Sequence, residues 1–204
     1  MPKSPIGDNV QALRNRWQTP KRQRLLDKLI GQRCFIDFAG TPEDGLEDPT
    51  LIKDLRAADL SGRELHDILL ANADMRWTDF TGSRVQGPFQ HANLAHADFS
   101  RAVLSACPFW KSRLINCRFE RAALLRVSFE QSSLFGASFR DAQLADVRFE
   151  SSDLQNVDFT GARLENCVLK RVKLDKGQRG FWAAQAQCRL EEVEWCEEAL
   201  AEPA

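Results

Sequence analysis

The sequence predicts an all-β solenoid, a square β-helical coil of roughly six turns with a helical cap before it and an acidic segment after it. Three observations carry this prediction. Between Lys53 and Lys176 a large apolar residue recurs every five positions. At a spacing of twenty, these residues sort into columns of Phe and columns of Leu. Two positions before most of them the side chain is small, as at Ala92, Ala97, Ala102, Cys117, Ala122, Ala137, Ala142 and Ala162.

A period of five excludes both common templates. Five residues turn an α-helix by about 500°, which scatters the apolar side chains around its whole circumference. A strand alternates in twos and cannot hold a period of five on one face. The chain must instead turn a corner every five residues and send each centre inward. Four sides close a coil of twenty. One Phe column is Phe89, Phe109, Phe129 and Phe149, continued by Leu169, and a second is Phe99, Phe119, Phe139 and Phe159. One Leu column is Leu94, Leu114, Leu134, Leu154 and Leu174, and the other is Leu104, Leu124, Leu144 and Leu164. Phe therefore occupies opposite walls, which spreads large and smaller side chains through a constant cross-section. The earlier centres run Leu55, Leu60, Leu65, Leu70, Met75, Phe80 and Val85.

Units such as Ala58-Asp59-Leu60-Ser61-Gly62, Ala92-Asn93-Leu94-Ala95-His96 and Ala97-Asp98-Phe99-Ser100-Arg101 resemble the pentapeptide-repeat family. That resemblance covers about 124 of the 204 residues and implies a right-handed quadrilateral β-helix. It also implies two functional options. Gyrase-protecting members join two rods end to end through a C-terminal segment, which suggests a homodimer here. Quinolone-resistance members are pictured as imitating duplex DNA to shield a type II topoisomerase.

The flanks differ from the repeat. Residues 1–50 read as a helical cap and an acidic linker, 51–176 as the β-helix, and 177–204 as the acidic C-terminal segment. Asp8 can cap a helix carrying Val10, Leu13 and Trp17, and Thr19-Pro20 starts a second whose apolar face is Leu25, Leu26, Leu29 and Ile30. A solenoid needs such a cap to cover its open end. The basic character of residues 3–33 also offers an acidic partner or an anionic membrane surface something to bind. Residues 41–49 read as solvated linker. The step from Val85 to Phe89 is one residue short, and Gly87-Pro88 suits a tightened corner. Residues 181–202, rich in Ala, Gln, Glu and Leu, favour a helix. The competing reading makes Leu190, Trp195 and Leu200 three further centres.

The surface carries the functional expectations. Trp110, Ile115, Leu125 and Phe135 each follow a centre, where side chains should face water, and mark a candidate partner surface. A helix of the same chain is the other candidate cover for that patch. Glu120 with Arg140, and Arg121 with Asp141, are placed to pair between coils. Lys and Arg total 28 against 29 Asp and Glu, so the whole chain has no net pull toward nucleic acid. Within residues 55–174 sixteen basic residues face fourteen acidic ones, which departs from the acidic rod that DNA imitation wants. The six Cys form no metal-ligand cluster, the three His read as solvated surface residues with a two-His site at His91 and His96 as the alternative, and Cys107, Cys117 and Cys167 fall at the small inward position. No P-loop, nucleophile elbow or dinucleotide fingerprint appears. The expectation is a non-enzymatic scaffold without cofactor or metal, binding a protein partner through its outer walls. The opening residues lack the apolar core of a signal peptide, and no apolar run is long enough to span a bilayer, which points to the cytosol.

Overall fold

The computed structural model describes residues 10–31, 54–66 and 70–197. From Asp54 onward the backbone turns a corner every fifth residue. The residue two positions after most centres has positive φ: Asn116 is at 54°, Arg121 at 57°, Arg126 at 53° and Gln131 at 53°. Left-handed backbone costs a non-glycine residue about 1–2 kcal/mol. The next coil offsets this, because the same N–H groups bond across the seam. Asn116 N donates to Phe135 O at 2.9 Å, Arg121 N to Arg140 O at 2.9 Å and Gln131 N to Glu150 O at 2.8 Å.

Four walls result. Strands β1 (Glu64–His66), β2 (Arg84–Gln86), β3 (Val103–Ser105), β4 (Ala123–Leu125), β6 (Gln143–Ala145) and β8 (Arg163–Glu165) form a six-stranded parallel sheet in the order β1-β2-β3-β4-β6-β8. This is the Leu104 wall. The Phe129 wall holds β5 (Ser128–Glu130), β7 (Arg148–Glu150), β9 (Val168–Lys170) and β11 (Arg189–Glu191). The Leu114 wall is stitched by single parallel bridges such as Asn93↔Arg113 and ends in β10 (Lys173–Asp175) paired with β12 (Glu194–Cys196). The Phe119 wall is stitched likewise, as at Asp98↔Arg118. The fold is the quadrilateral β-helix expected from the period, right-handed as the family resemblance implies.

The interior is two aromatic stacks set at right angles. Phe80, Phe99, Phe119, Phe139 and Phe159 stack face to face with centroids 4.4 to 5.3 Å apart. Phe89, Phe109, Phe129 and Phe149 do the same at 4.7 to 5.1 Å. Across the core the two columns meet edge to face, as between Phe129 and Phe139 at 6.1 Å and 82°. Offset stacks and edge contacts are the two arrangements that the ring quadrupole favours. All four columns, from Phe89 and Leu94 to Phe159 and Leu164, are buried.

Register is twenty residues along most of the rod, as in Leu124↔Leu144 and Phe129↔Phe149. The missing residue at Gly87-Pro88 makes it nineteen for one coil, with Val85 opposite Leu104. At the far end it becomes twenty-one, with Leu169 opposite Leu190 and Leu174 opposite Trp195.

That last coil corrects the helix favoured over residues 181–202. Among the described residues of this segment, helix appears only as α3 (Arg179–Ala183), preceded by a single 3-10 turn at Lys176–Gln178. Phe181 there stacks on Phe159 at 5.9 Å and so continues the aromatic column from a helix instead of a strand. Leu190 and Trp195 are then the centres of β11 and β12, as the competing reading had it. Tertiary stacking overrides helix propensity, because a three-residue strand with a ready-made parallel neighbour gains bonds an isolated helix lacks. Leu200 lies outside the described residues.

At the other end α1 (Val10–Arg16) and α2 (Pro20–Gly31) close the first coil. Trp17 and Leu26 are buried in the same apolar cluster as Leu55, Leu60 and Leu65. Trp17 Nε1 donates to Arg56 O at 2.8 Å, and Arg16 grips the Asp54 carboxylate at 2.7 and 2.8 Å. Arg63 pairs with Asp27 at 2.8 Å. Asp8 and the acidic segment at 41–49 lie outside the described residues.

Candidate interaction site

The four residues marked as a partner surface do not form one surface. Ile115 and Phe135 are 2% and 5% exposed, and with Ala95 they form a small apolar ladder of their own outside the main core. On the Leu114 wall the residues after three successive centres are Ala95, Ile115 and Phe135, all apolar and packed on one another. Three apolar side chains in successive coils then bury one another. No described helix covers them: α1 and α2 sit at Asp54–Arg63, and α3 at the opposite end. The expectation that these two face water is corrected on that geometry.

Trp110 remains 37% exposed on the Phe129 wall. The His91 ring meets it edge-on at 4.8 Å, and the Lys111 ammonium lies 4.4 Å from its centroid. Leu125, at 42%, stands on a different wall, in β4. It is joined there by Val103 at 38% in β3, which the pattern search missed. Val103 precedes its centre, while the search looked only at residues that follow one. Reading both outward positions of each strand together finds it.

The outward side of the Leu104 wall differs from the others in charge. Its middle three strands show Val103 and Ser105, then Ala123 and Leu125, then Gln143 and Ala145. None is charged. Arg84 bounds this field on one side, and Arg163 and Glu165 bound it on the other. Over the same coils the Phe129 wall instead presents Pro108, Trp110, Ser128, Glu130, Arg148 and Glu150.

Polar side chains elsewhere are tied into the seams. Ser112, Ser132 and Ser152 stack at the small inward position. The Ser112 and Ser152 hydroxyls donate to Phe89 O at 2.5 Å and Phe129 O at 2.6 Å, and Ser132 does the same to Phe109 O. Cys117 Sγ donates to Leu94 O at 2.9 Å in the matching place. Burial pushes the Cys107 thiol up to about 11 and that of Cys167 to about 12, and it raises Cys117 further. A thiolate is therefore disfavoured at all three. Of the expected surface pairs, Arg121 meets Asp141 at 3.9 Å, whereas Arg140 turns to Asp158 at 3.1 Å and not to Glu120. His96 stacks on Trp77 at 5.6 Å. No group of three or more metal-ligating side chains gathers among the described residues. No described helix is long and apolar enough to cross a membrane.

Stacked coils with a dry aromatic core and walls free to carry contacts define a β-helical repeat protein. Two family models match the chain: pentapeptide repeats (8 copies) over residues 54–87 and a pentapeptide repeat region over residues 102–178. Together they span more than half of it, and the chain belongs to the pentapeptide-repeat family.

Solved pentapeptide-repeat structures are similar to this chain at low identity. The pentapeptide repeat protein Rfr23 from the cyanobacterium Cyanothece 51142 is 19% identical, with 58% of this chain and 64% of that chain covered and a TM-score of 0.32. This chain thus spans just under two thirds of Rfr23. A pentapeptide repeat protein from the Arabidopsis thaliana thylakoid lumen is 21% identical over 63% of this chain and 80% of that one, with a TM-score of 0.35. QnrB1, a plasmid-mediated fluoroquinolone resistance protein, is 15% identical over 68% and 77%, also with a TM-score of 0.35. No curated protein matches the chain.

Proposed function

We propose that this protein is a non-enzymatic scaffold that binds a protein partner through the Leu104 wall. The observation that carries the reading is the uncharged field of Val103, Ser105, Ala123, Leu125, Gln143 and Ala145 on a flat parallel sheet. Interface centres lose charge and gain apolar area, while rims stay polar. The field has that anatomy, with Arg84, Arg163 and Glu165 at its rim.

Two other readings have less support. Shielding a topoisomerase by imitating DNA needs an unbroken acidic wall. The best acidic column, Asp59, Asp79, Asp98 and Asp158, is interrupted by Arg118, which pairs with Asp98, and Arg140 pairs with Asp158. Binding an anionic membrane through the N-terminal helices needs free cations. Arg16 is directed at Asp54, and Arg16 and Arg22 both lie over the Trp17 ring, which leaves Arg14 and Arg24 as the exposed cations among the described side chains of these helices. End-to-end pairing of two copies is a compatible addition. β11 and β12 are edge strands among the described residues, and Leu190 and Trp195 are only partly buried.

The test is a pull-down from the source cell with three forms of the protein. Leu125→Glu should keep the parent's melting temperature and lose the partner. Glu130→Lys, on the Phe129 wall, should keep both. A partner retained by Leu125→Glu and lost by Glu130→Lys overturns the assignment of the wall.

A further inference from the structure

The last coil brings two cysteines together. β9 and β11 pair with Val168 opposite Arg189, so the preceding residues, Cys167 and Cys188, are neighbours across the seam. Arg189 N donates to Cys167 O at 2.9 Å, which locks the two backbones at strand spacing. Adjacent parallel strands lie about 4.8 Å apart, inside the Cα separation a disulfide accepts. The side chains share the inward small-residue column, whose earlier members are Cys107, Val127 and Val147. Cys167 is buried, whereas Cys188 is only partly so. Cys188 also lines an open cavity of about 560 Å³ at the end of the rod, with Trp182, Ala186, Leu190 and Trp195. One thiol can meet a small molecule there, and the other waits directly beneath it.

We propose that Cys188 is a thiol-modification site for small-molecule disulfides and that Cys167 resolves the adduct, leaving a Cys167–Cys188 disulfide across the last seam. The Cys188 thiolate attacks one sulfur of the disulfide RSSR, forming Cys188–S–S–R and expelling RS⁻, which takes up the proton Cys188 lost. Cys167 then gives up its proton as its sulfur attacks the Cys188 sulfur, and a second RS⁻ leaves and takes up that proton. The protein dithiol loses two electrons and two protons, and RSSR becomes two RSH.

The roles follow from the surroundings. Burial raises both thiols. The bonds Cys167 offers favour the Cys188 thiolate, and the same contact disfavours that of Cys167. Cys188 is thus the first to ionise and Cys167 the second. The remaining described cysteines cannot substitute. Cys107 and Cys117 lie coils away in the core, and Cys196 faces outward in β12 beside Glu194.

The experiment treats the full chain with oxidised glutathione and follows intact mass, free thiols and cysteine-containing peptides. The expected product has lost two hydrogens, counts four thiols in place of six and yields a Cys167–Cys188 peptide link. Its residues 179–197 resist protease longer than in the reduced form. Cys167→Val, which copies Val127 and Val147 in the same column, should trap a stable glutathione adduct on Cys188. Cys188→Val should give neither adduct nor link. A link between other cysteines, an adduct on Cys188 that the intact protein never resolves, or unreactive thiols in folded protein each overturn the proposal.

Discussion

The middle of the rod and its last coil are built from the same five-residue unit but reach different ends. In the middle, Phe129 is stacked between Phe109 at 5.0 Å and Phe149 at 5.1 Å and has no exposure to solvent. In the last coil, Leu190 and Trp195 hold the equivalent positions, and both are partly exposed. The middle coils are twenty residues long, and the last is twenty-one with α3 replacing one strand. The difference is one of neighbours. A middle coil has its backbone and its centres satisfied from two sides, and the last coil from one. Stability in such a stack is close to a sum of coil and seam contributions, so a residue matters as much as the seams that flank it.

The largest test of this comparison is a buried charge. Phe129→Asp removes a ring flanked on both sides and leaves a carboxylate without a partner, at a cost above about 5 kcal/mol. At about 2–4 °C per kcal/mol, thermal circular dichroism should show a fall of at least about 10 °C or no folded protein. Leu190→Asp should cost about 2 kcal/mol, because its site is already partly wet. Equal losses for the two would remove the distinction between middle and end.

Corners should follow the same rule on a smaller scale. Gly136 sits at φ +68°, and a Cβ there would fall 2.2 Å from Asn116 Oδ1 in the neighbouring coil. Gly62, near the first coil, has φ +64° and nothing within 4 Å. Alanine at Gly136 should cost about 2–3 kcal/mol, the left-handed backbone plus displacement of the amide. Alanine at Gly62 should cost only the backbone share, about 1 kcal/mol. Denaturant titration of the two variants separates them, and Asn116→Gly should restore part of the loss at Gly136.

A buried hydroxyl sharpens the picture within the middle. Ser132 Oγ donates to Phe109 O and accepts from Ser112 N at 3.1 Å. Ser132→Ala keeps the volume small, as at Ala122 and Ala142, but orphans that N–H. The expected loss is about 1–2 kcal/mol in the same titration.

The mildest effect belongs to the N-terminal cap and depends on pH. Burial raises the Asp54 carboxyl, but hydrogen bonds from Arg16 and Arg56, with their charge, outweigh this and hold it well below the usual carboxylate range. A depressed carboxyl stabilises the fold fully above the unfolded value of about 3.9 and loses that contribution as pH falls through the lower folded value. Limited proteolysis should therefore release α1 and α2 only as the pH falls well below about 4, while the β-helix persists. Asp54→Asn should bring the same release at neutral pH.

Much of this architecture was legible because it repeats. Twenty-residue columns name the walls, the opposed Phe stacks and the shortened coil at Gly87-Pro88 before any coordinate is known. Legibility fails where one coil departs from its neighbours. The extra residue and the Arg179–Ala183 helix hid Leu190 and Trp195 behind a composition that favours helix. Ile115 and Phe135 were read as outward because a five-residue period does not say on which walls the residues after the centres pack on one another. Only the structure distinguishes the residue after Leu114, which is buried against its neighbours, from the residue after Leu124, which is exposed. Cys167 and Cys188 are separated by twenty-one residues, so a search at twenty passes over their contact.

The seams have a mechanical consequence. Every bond of the kind made by Leu94 N to Arg113 O or Phe99 N to Arg118 O runs along the rod axis. Tension applied to the chain ends therefore meets these bonds a few at a time, at whichever end coil is peeling, and never shears a whole sheet at once. The cap anchored at Asp54 protects one end, so peeling should begin at β12. Each coil set free adds about 65 Å of extended chain, twenty residues at about 3.5 Å less one strand spacing. Under force the molecule should lengthen in even, shallow steps, a spool that pays out line from its C-terminal end.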